Sequence, residues 1–200
     1  MGKIYWIRTY LNLWRIIPAY LISKINKHKN KCARDLQVWI ENASYLRKYS
    51  ELCAFGYLLA NSKECRNILL NRLHRNPFMW VVVRILFRPL ESCYINMPPE
   101  KIGGGFSLQH GFSTIIAAKE IGENCRIFQQ VTVGFNGDKA PVIGDNVQIT
   151  AGAIVIGDVH VGNGAYIGAG AVVVCDVPEN ATVVGVPARP IHKEAEKVPQ

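Results

Sequence analysis

Hydrophobic residues in the second half of the chain recur every six positions. From residue 143 to residue 173 the repeating position is always Ile or Val: Ile143, Ile149, Val155, Val161, Ile167 and Val173. A small or β-branched residue follows four positions after each of them. An α-helix repeats every 3.6 residues and a flat strand every two, so neither sustains a period of six. A parallel β-helix does, because each six-residue unit is one short strand plus one tight turn.

The same period extends backward through Ile115, Ile121, Ile127 and Val133. A polar, turn-rich insertion, FNGDKAP, separates Val133 from the next repeating position. An earlier unit, IGGG at residues 102–105, is out of phase by one, and His110 lies in that slip. We predict a parallel β-helix over residues 102–177 with the repeating aliphatic residues facing inward. Loops that leave a rigid scaffold often carry function, so the two interruptions are the first places to look for a site.

The first half of the chain has helical periodicity instead. It predicts a helix over residues 1–30 that breaks near Pro18, and further helices over 31–60 and 62–90. Asn76-Pro77 predicts a break within the last of these, and the apolar stretch MWVVVRILF predicts a buried helix. We therefore divide the chain into an α-helical N-terminal domain, 1–95, and a β-helix domain with its C-terminal tail, 96–200. The fold class is mainly β.

Charge is distributed unevenly between the halves. Residues 1–100 hold 16 Lys and Arg against 6 Asp and Glu, whereas residues 101–200 hold 7 against 9. The basic half predicts either a solvated helical surface or contact with an anionic partner such as a membrane surface. No nucleic-acid-binding motif accompanies the charge, so we expect no nucleic-acid partner.

The N-terminal stretch IYWIRTYLNLWRIIPAYLI is apolar, but Arg8, Arg15 and Pro18 interrupt it. It lacks the uninterrupted span of about 18 apolar residues that a transmembrane helix requires. An interfacial amphipathic helix and a helix packed on protein both remain open. We expect a cytoplasmic protein, peripheral at the inner face of the membrane if these helices bind lipid.

Six cysteines are scattered along the chain and none forms a CxxC pair. This pattern predicts neither a zinc site nor a disulfide framework. Reduced thiols are the default for a cytosolic protein, and no signal peptide with a small-residue cleavage site is visible. We expect no metal.

The string VVGVPARP after the last repeat resembles the segment with which left-handed β-helix acyltransferases leave their coil. Together with the repeats, it makes the chain resemble hexapeptide-repeat acetyltransferases over about residues 95–192. The segment IGGGFSLQHGFSTIIAAKEIGENCRIFQQVTVG is most similar to serine acetyltransferases and the related polysaccharide O-acetyltransferases. The resemblance implies a left-handed parallel β-helix, a homotrimer with active sites between neighbouring subunits, and acetyl-CoA as co-substrate.

The resemblance also implies roles for individual residues. His110 matches the catalytic histidine, and a histidine suits a general base because its pKa lies near neutral pH. Its ring needs an orienting partner, for which Asn96, Glu100 or a backbone carbonyl remain open. Three small residues match positions that contact the acetyl donor, and two basic residues could meet the phosphates of CoA: Gly134, Ala151, Ala169, Arg189 and Lys193.

Three departures from the serine enzymes bear on the acceptor. Gln109 stands where those enzymes have aspartate, the loop GFNGDKAP lacks their Arg-His pair, and no acid lies about fifteen residues before His110. Neutral groups such as Gln109 and Asn136 can instead bind a sugar by hydrogen bonds. We expect an O-acetyltransferase whose acceptor is a sugar hydroxyl in capsule or exopolysaccharide synthesis. The alternatives are a serine O-acetyltransferase of cysteine biosynthesis and a non-catalytic hexapeptide-repeat scaffold.

Overall fold

The structure, a computed structural model, describes residues 3–191. Its first part is helical, with two short 3₁₀ helices at Ser44–Leu46 and Pro99–Lys101. The α-helices are α1 Lys3–Leu11, α2 Leu13–Ile25, α3 Lys29–Asn42, α4 Glu51–Asn61, α5 Lys63–Leu73 and α6 Pro77–Leu86.

The second part is built from strands of two or three residues. They are β1 Cys93–Ile95, β2 Ser107–Gln109, β3 Thr114–Ile116, β4 Glu120–Ile121, β5 Arg126–Phe128, β6 Thr132–Gly134, β7 Val142–Ile143, β8 Gln148–Ile149, β9 Ile154–Ile156, β10 His160–Val161, β11 Tyr166–Ile167, β12 Val172–Val173, β13 Thr182–Val184 and β14 Arg189–Pro190. A strand this short can point only one or two side chains inward before the chain turns. A six-residue unit requires this.

The strands stack into three sheets, which form the three faces of a parallel β-helix. Face A has the order β1-β3-β6-β9-β12, face B the order β10-β7-β4, and face C the order β14-β13-β11-β8-β5-β2. Pairing is parallel except between β13 and β14. The register pairs Ile149 with Ile167 and Val155 with Val173, eighteen positions apart. One coil is therefore three six-residue units, and face A crosses five coils.

The inward positions confirm the prediction from the six-residue period. All six repeating residues from Ile143 to Val173 are at most 2% exposed. They belong to one hydrophobic core that runs the length of the β-helix from Cys93 onward and also includes Ile68 of α5. Because each of these side chains stacks on its equivalent in the next coil, burial follows directly from the local repeat.

Ile115 is an exception, and its predicted inward position is wrong. Ile115 is 46% exposed, whereas its neighbour Ile116 is fully buried. The turn before this strand contains His110 and Ser113 with φ of 58° and 52°. It contains two more residues than a regular corner, so the next inward residue after Leu108 comes eight positions later instead of six. This shift moves Ile116 into the core.

Two predictions about the helices also need correction. The first helical segment breaks at Asn12, and Pro18 lies inside α2. Pro18 removes one backbone hydrogen bond, but Ile16 and Ala19 on either side are fully buried, and this packing holds α2 together. The predicted break at Asn76-Pro77 is confirmed, because the Asn76 side chain caps α6 and Pro77 is its first residue.

The stretch MWVVVRILF does form a helix, α6, but the helix is not buried. Of its residues only Val83 is fully buried. Phe78 and Ile85 are 77% and 76% exposed. One side of α6 packs against the helical core while the other faces outward, which the unbroken apolar run does not reveal.

A buried ion pair joins the helical part to the first coil. Arg72 on α5 binds Asp35 on α3, with Nε to Oδ2 at 2.9 Å and Nη2 to Oδ1 at 3.1 Å. The same guanidinium donates to the carbonyls of Ile102 and Gly103, and Asp35 accepts from the Phe106 N–H. Both side chains are buried. The bonds to Ile102, Gly103 and Phe106 therefore fix α3 and α5 against the start of the β-helix.

Candidate functional site

His110 lies in the turn between β2 and β3, at the corner where face C meets face A. Its side chain is exposed, and its backbone is in the left-handed region, with φ of 58°. The His110 carbonyl accepts a hydrogen bond from the Phe112 N–H, which closes the turn. A non-glycine residue in this conformation costs on the order of 1 kcal/mol, so the surrounding packing must hold it there.

The residue after His110, Gly111, is packed against both α5 and β1. A Cβ at Gly111 would lie 3.4 Å from Cγ of Glu64 on α5 and 3.7 Å from Sγ of Cys93. Burial raises the pKa of the Cys93 thiol to about 12, so this cysteine stays protonated near neutral pH. It is therefore a packing residue beside the histidine, not a competing nucleophile.

One residue of each following coil stacks beneath His110 at the same corner, first a glutamine and then two alanines. Gln129 occupies the next coil, Ala151 the one after it, and Ala169 the third. Backbone hydrogen bonds link these corners, from the Gly152 N–H to the Gln129 carbonyl and from the Gly170 N–H to the Ala151 carbonyl. Neighbouring strands are about 4.8 Å apart, which places Ala151 and Ala169 roughly 10 and 14 Å from His110 along the axis. The structure thus brings these three predicted residues into one line.

Gly134 lies at a different corner. It ends β6 and pairs with Ile156, where face A meets face B. Gly134 comes four positions after Gln130, which lies beside the histidine corner. Four steps of extended chain span roughly 13 Å. A Cβ at Gly134 would meet only the Thr132 methyl, at 3.8 Å, so the space beside this glycine is open.

Asn136 lies in the insertion that follows Gly134, and the insertion is ordered by its own hydrogen bonds. The Asn136 N–H donates to the Lys139 carbonyl at 2.9 Å, and the Lys139 N–H donates back at 3.3 Å. Gly137 between them has φ of 65°, which a tight turn of this kind favours. The Lys139 ammonium pairs with Asp158 at 3.2 Å. The loop is a small hairpin that projects from the second corner, away from His110 of the same chain.

The remaining predicted residues are spread along the coil. Gln109 ends β2, pairs with Phe128 and is half-buried directly before His110. Arg189 is exposed on β14, at the opposite end of face C from β2. Five strand spacings separate those ends, roughly 24 Å. Lys193 lies outside the residues that the structure describes.

The predicted partners for the His110 ring are not in place. Glu100 binds Arg75 and lies 3.6 Å from Nε2 of His28, so its carboxylate belongs to the helical part. Asn96 donates its backbone N–H to the Ile116 carbonyl. Within residues 3–191, no carboxylate oxygen lies within 4.0 Å of a His110 ring nitrogen.

Two residues near His110 were missed from the sequence. The side-chain oxygen of Gln129, one strand below the histidine, is buried and has no hydrogen-bond partner among residues 3–191. Counting coils from His110 would have placed Gln129 there. Glu64 lies 46 positions before the histidine on a helix, and no sequence pattern connects the two.

Comparison with known proteins agrees with this geometry. A family profile described as bacterial transferase hexapeptide (six repeats) matches residues 140–175. A serine acetyltransferase of Bacillus licheniformis is 44% identical over 106 residues, which cover 50% of this chain and 49% of the relative. The chain thus spans about half the length of the first curated relatives it matches. A serine acetyltransferase of Helicobacter pylori is 36% identical over 133 residues, covering 63% of this chain and 77% of the relative.

A solved structure extends the likeness into the helices. Soybean serine acetyltransferase complexed with serine aligns with a TM-score of 0.61 and 28% sequence identity. The alignment covers 86% of this chain and 72% of the soybean chain. Because the β-helix begins only at β1, this coverage includes much of the helical part.

Proposed function

This chain belongs to the serine acetyltransferase family of hexapeptide-repeat proteins, and we propose that it transfers an acetyl group from acetyl-CoA to a hydroxyl group. The observation that carries the proposal is the line formed by His110, Ala151 and Ala169. An exposed base stands at one end, and beyond Gln129 the small side chains of Ala151 and Ala169 leave a track for the extended pantetheine arm. Arg189 lies farther along the same face, where it can meet the CoA phosphates.

His110 acts as the general base. A ring nitrogen takes the proton from the acceptor hydroxyl while the hydroxyl oxygen attacks the thioester carbonyl carbon. The tetrahedral intermediate collapses with cleavage of the carbon–sulfur bond, and the protonated ring returns its proton to the departing thiolate. The products are an acetyl ester and free CoA. The unpartnered side-chain oxygen of Gln129 is available to accept a hydrogen bond from the acceptor.

We place serine first among the acceptors. The curated relatives are named serine acetyltransferases, and the soybean structure contains serine. Those comparisons support the alternative over the sugar acceptor expected from the sequence. A sugar hydroxyl is the second candidate, because Gln109 is neutral and the hairpin at residues 136–139 presents its lysine to Asp158. Neither feature holds a carboxylate in the way that an arginine fork would.

We also propose that the enzyme is a homotrimer with the site completed between subunits. His110 and Asn136 project from different corners of one β-helix, so a neighbouring subunit is needed to bring such groups together. Face A offers the contact surface. Its outer row is uncharged and in register: Tyr94, Ile115, Thr132, Ile154 and Val172. The outer rows of faces B and C carry charged side chains such as Glu120 and Arg126.

Release of CoA from acetyl-CoA tests the proposal. We expect turnover with serine and a rate about 10²- to 10⁴-fold lower in His110→Ala. His160→Ala is the matched control, because His160 is also exposed but lies on β10 of face B. Full activity of His110→Ala would refute the base. Turnover with sugar nucleotides in place of serine would make the second candidate correct, and no turnover with either would favour the scaffold.

A further inference from the structure

The outer side of α1 and α2 carries large apolar residues that the fold does not bury. On α1 they recur at three- and four-residue spacing, and they continue on α2 with the same spacing, so each helix presents one stripe. Their exposure ranges from 46% to 77%: Ile4, Ile7, Leu11, Trp14, Ile17, Leu21 and Ile25. We call this surface the N-terminal stripe. The opposite side of α2 packs inward through Ile16, Ala19 and Ser23.

The stripe differs from the scattered apolar exposure that any protein surface has. A contiguous apolar surface of this kind normally marks an interaction site. The neighbouring helix α6 adds Phe78 and Ile85, and Arg15 of α2 joins the two helices by donating to the Leu86 carbonyl at 2.8 Å.

Charge decides what covers the stripe. Residues 3–34 contain no Asp or Glu, and neither does α6. Exposed basic side chains lie near the apolar residues, among them Arg8 on α1, Lys27 just after α2 and Arg84 on α6. The surface is therefore apolar and predominantly cationic, with Trp14 and Tyr10 exposed within it. An acid beside it, Glu51 of α4, is paired with Lys24 of α2.

A second copy of the chain fits this surface poorly. A two-fold contact would place the same basic residues opposite one another with no acid between them. If the stripe instead bound the β-helix of another copy, two different surfaces would meet in a head-to-tail contact. Such a contact gives open filaments unless the rotation closes a ring. An anionic lipid surface satisfies both features at once, since the acyl boundary accepts the apolar residues and the headgroups accept the cations.

We propose that the N-terminal stripe docks on the surface of an anionic lipid bilayer, with α1 and α2 lying in the interface. None of the helices in residues 3–191 is both long and apolar enough to cross a bilayer, so the contact is peripheral. Trp14 and Tyr10 sit at the depth where aromatic rings concentrate in membranes. This docking does not depend on the acetyl-transfer activity.

Co-sedimentation of the full chain with lipid vesicles tests the proposal. We expect binding to phosphatidylcholine vesicles containing about one-third phosphatidylglycerol, and little binding to pure phosphatidylcholine. Binding should weaken as salt rises from about 0.05 M to 0.5 M, because screening shortens the range of exposed charges to less than about 10 Å. Equal binding to both vesicle types at all salt concentrations would overturn the electrostatic part of the proposal, and no binding at low salt would overturn it entirely.

Two variants locate the contact. Trp14→Ser combined with Leu21→Ser should lower vesicle affinity by at least about tenfold, since both side chains lose apolar burial in lipid. Arg8→Gln combined with Lys27→Gln should lower it by roughly 25-fold at low salt. Tyr166→Ser is the control, because Tyr166 is 42% exposed on face C of the β-helix. Unchanged affinity in the first two variants would place the contact elsewhere.

Light scattering without lipid distinguishes the remaining alternative. If the stripe instead pairs two copies, Trp14→Ser with Leu21→Ser would halve the particle mass, and that result would overturn lipid docking. We expect the particle mass to stay the same. Circular dichroism spectra matching the wild type would show that all variants fold, as the exposure of the altered side chains leads us to expect.

Discussion

The helical part and the β-helix bury their apolar residues to different extents. In the β-helix the repeating aliphatic residues are almost fully buried. In the N-terminal stripe, side chains such as Ile4 and Trp14 are more than 70% exposed. The coil buries an aliphatic residue because its own next coil covers it. A surface helix needs to bury only one of its sides against the rest of the protein for the chain to fold. Apolar exposure on the helices therefore points to a partner, whereas in the coil it marks the outer row of a sheet.

The strongest way to break this comparison is to place a charge inside the coil. Val155→Asp would put an unpaired carboxylate where the side chain is fully buried, between the neighbouring coils. We expect the β-helix to unfold or to lose several kcal/mol of stability, because an isolated buried charge has no compensating partner. Gln148→Asp, on the exposed side of β8, should change the melting temperature little. An unchanged melting temperature in Val155→Asp would contradict the inward assignment.

The second prediction concerns the joint between the two regions. Arg72→Met leaves Asp35 buried without its partner and should destabilise the protein by about 3–5 kcal/mol in denaturant unfolding. Arg75→Met is the matched control, since Arg75 is exposed in its pair with Glu100 and should cost no more than about 1 kcal/mol. If the two variants unfold at the same denaturant concentration, the buried pair does not hold the regions together.

A third prediction tests the outer row of face A. Ile115→Lys would introduce charge into the uncharged surface proposed for the trimer, and we expect the particle mass in light scattering to fall toward that of one chain. Tyr166→Lys makes a similar change on face C and should leave the mass unaltered. A trimer that survives Ile115→Lys, or a monomeric wild type, would exclude face A as the contact.

The smallest effect is expected from pH in the helical part. Burial lowers the pKa of His28 below its usual 6.5, with Lys31 and Arg72 adding to the effect and Glu100 opposing it. Above that value the ring is neutral in both states, so it contributes nothing to the pH dependence. Below it the unfolded chain binds the proton first, and stability falls as pH drops, by at most about 1.4 kcal/mol per pH unit.

His28→Gln should reduce that decline in unfolding experiments between about pH 7 and pH 5. The pKa of Glu100 is lowered too, first by a backbone hydrogen bond, so its own contribution is lost only below its usual 4.5. His28 and Glu100 therefore lower the stability in different pH ranges, His28 below about pH 6.5 and Glu100 only below about pH 4.5. An identical pH profile for His28→Gln would show that another group is responsible.

The inward positions of the β-helix could be predicted from the sequence with one error, at Ile115. That error arose where the turn at His110 inserts residues, since a fixed period cannot detect a change of phase. The same turn holds the candidate base. The common corner of His110, Ala151 and Ala169 could also be predicted, because the coil is regular there, while their roles as base and donor contacts stay predictions.

The sequence by itself determined the repeating core, the two interruptions and the basic charge of the first half. The core contacts join residues 22 positions apart or fewer, so a local pattern encodes them. Only the tertiary structure decided that α6 is half exposed, that Pro18 sits within α2, and that Glu64 lies against Gly111, next to His110. The side of a helix that is covered depends on elements distant in the chain, as in the packing of α5 against the first coil. A local sequence period cannot predict it.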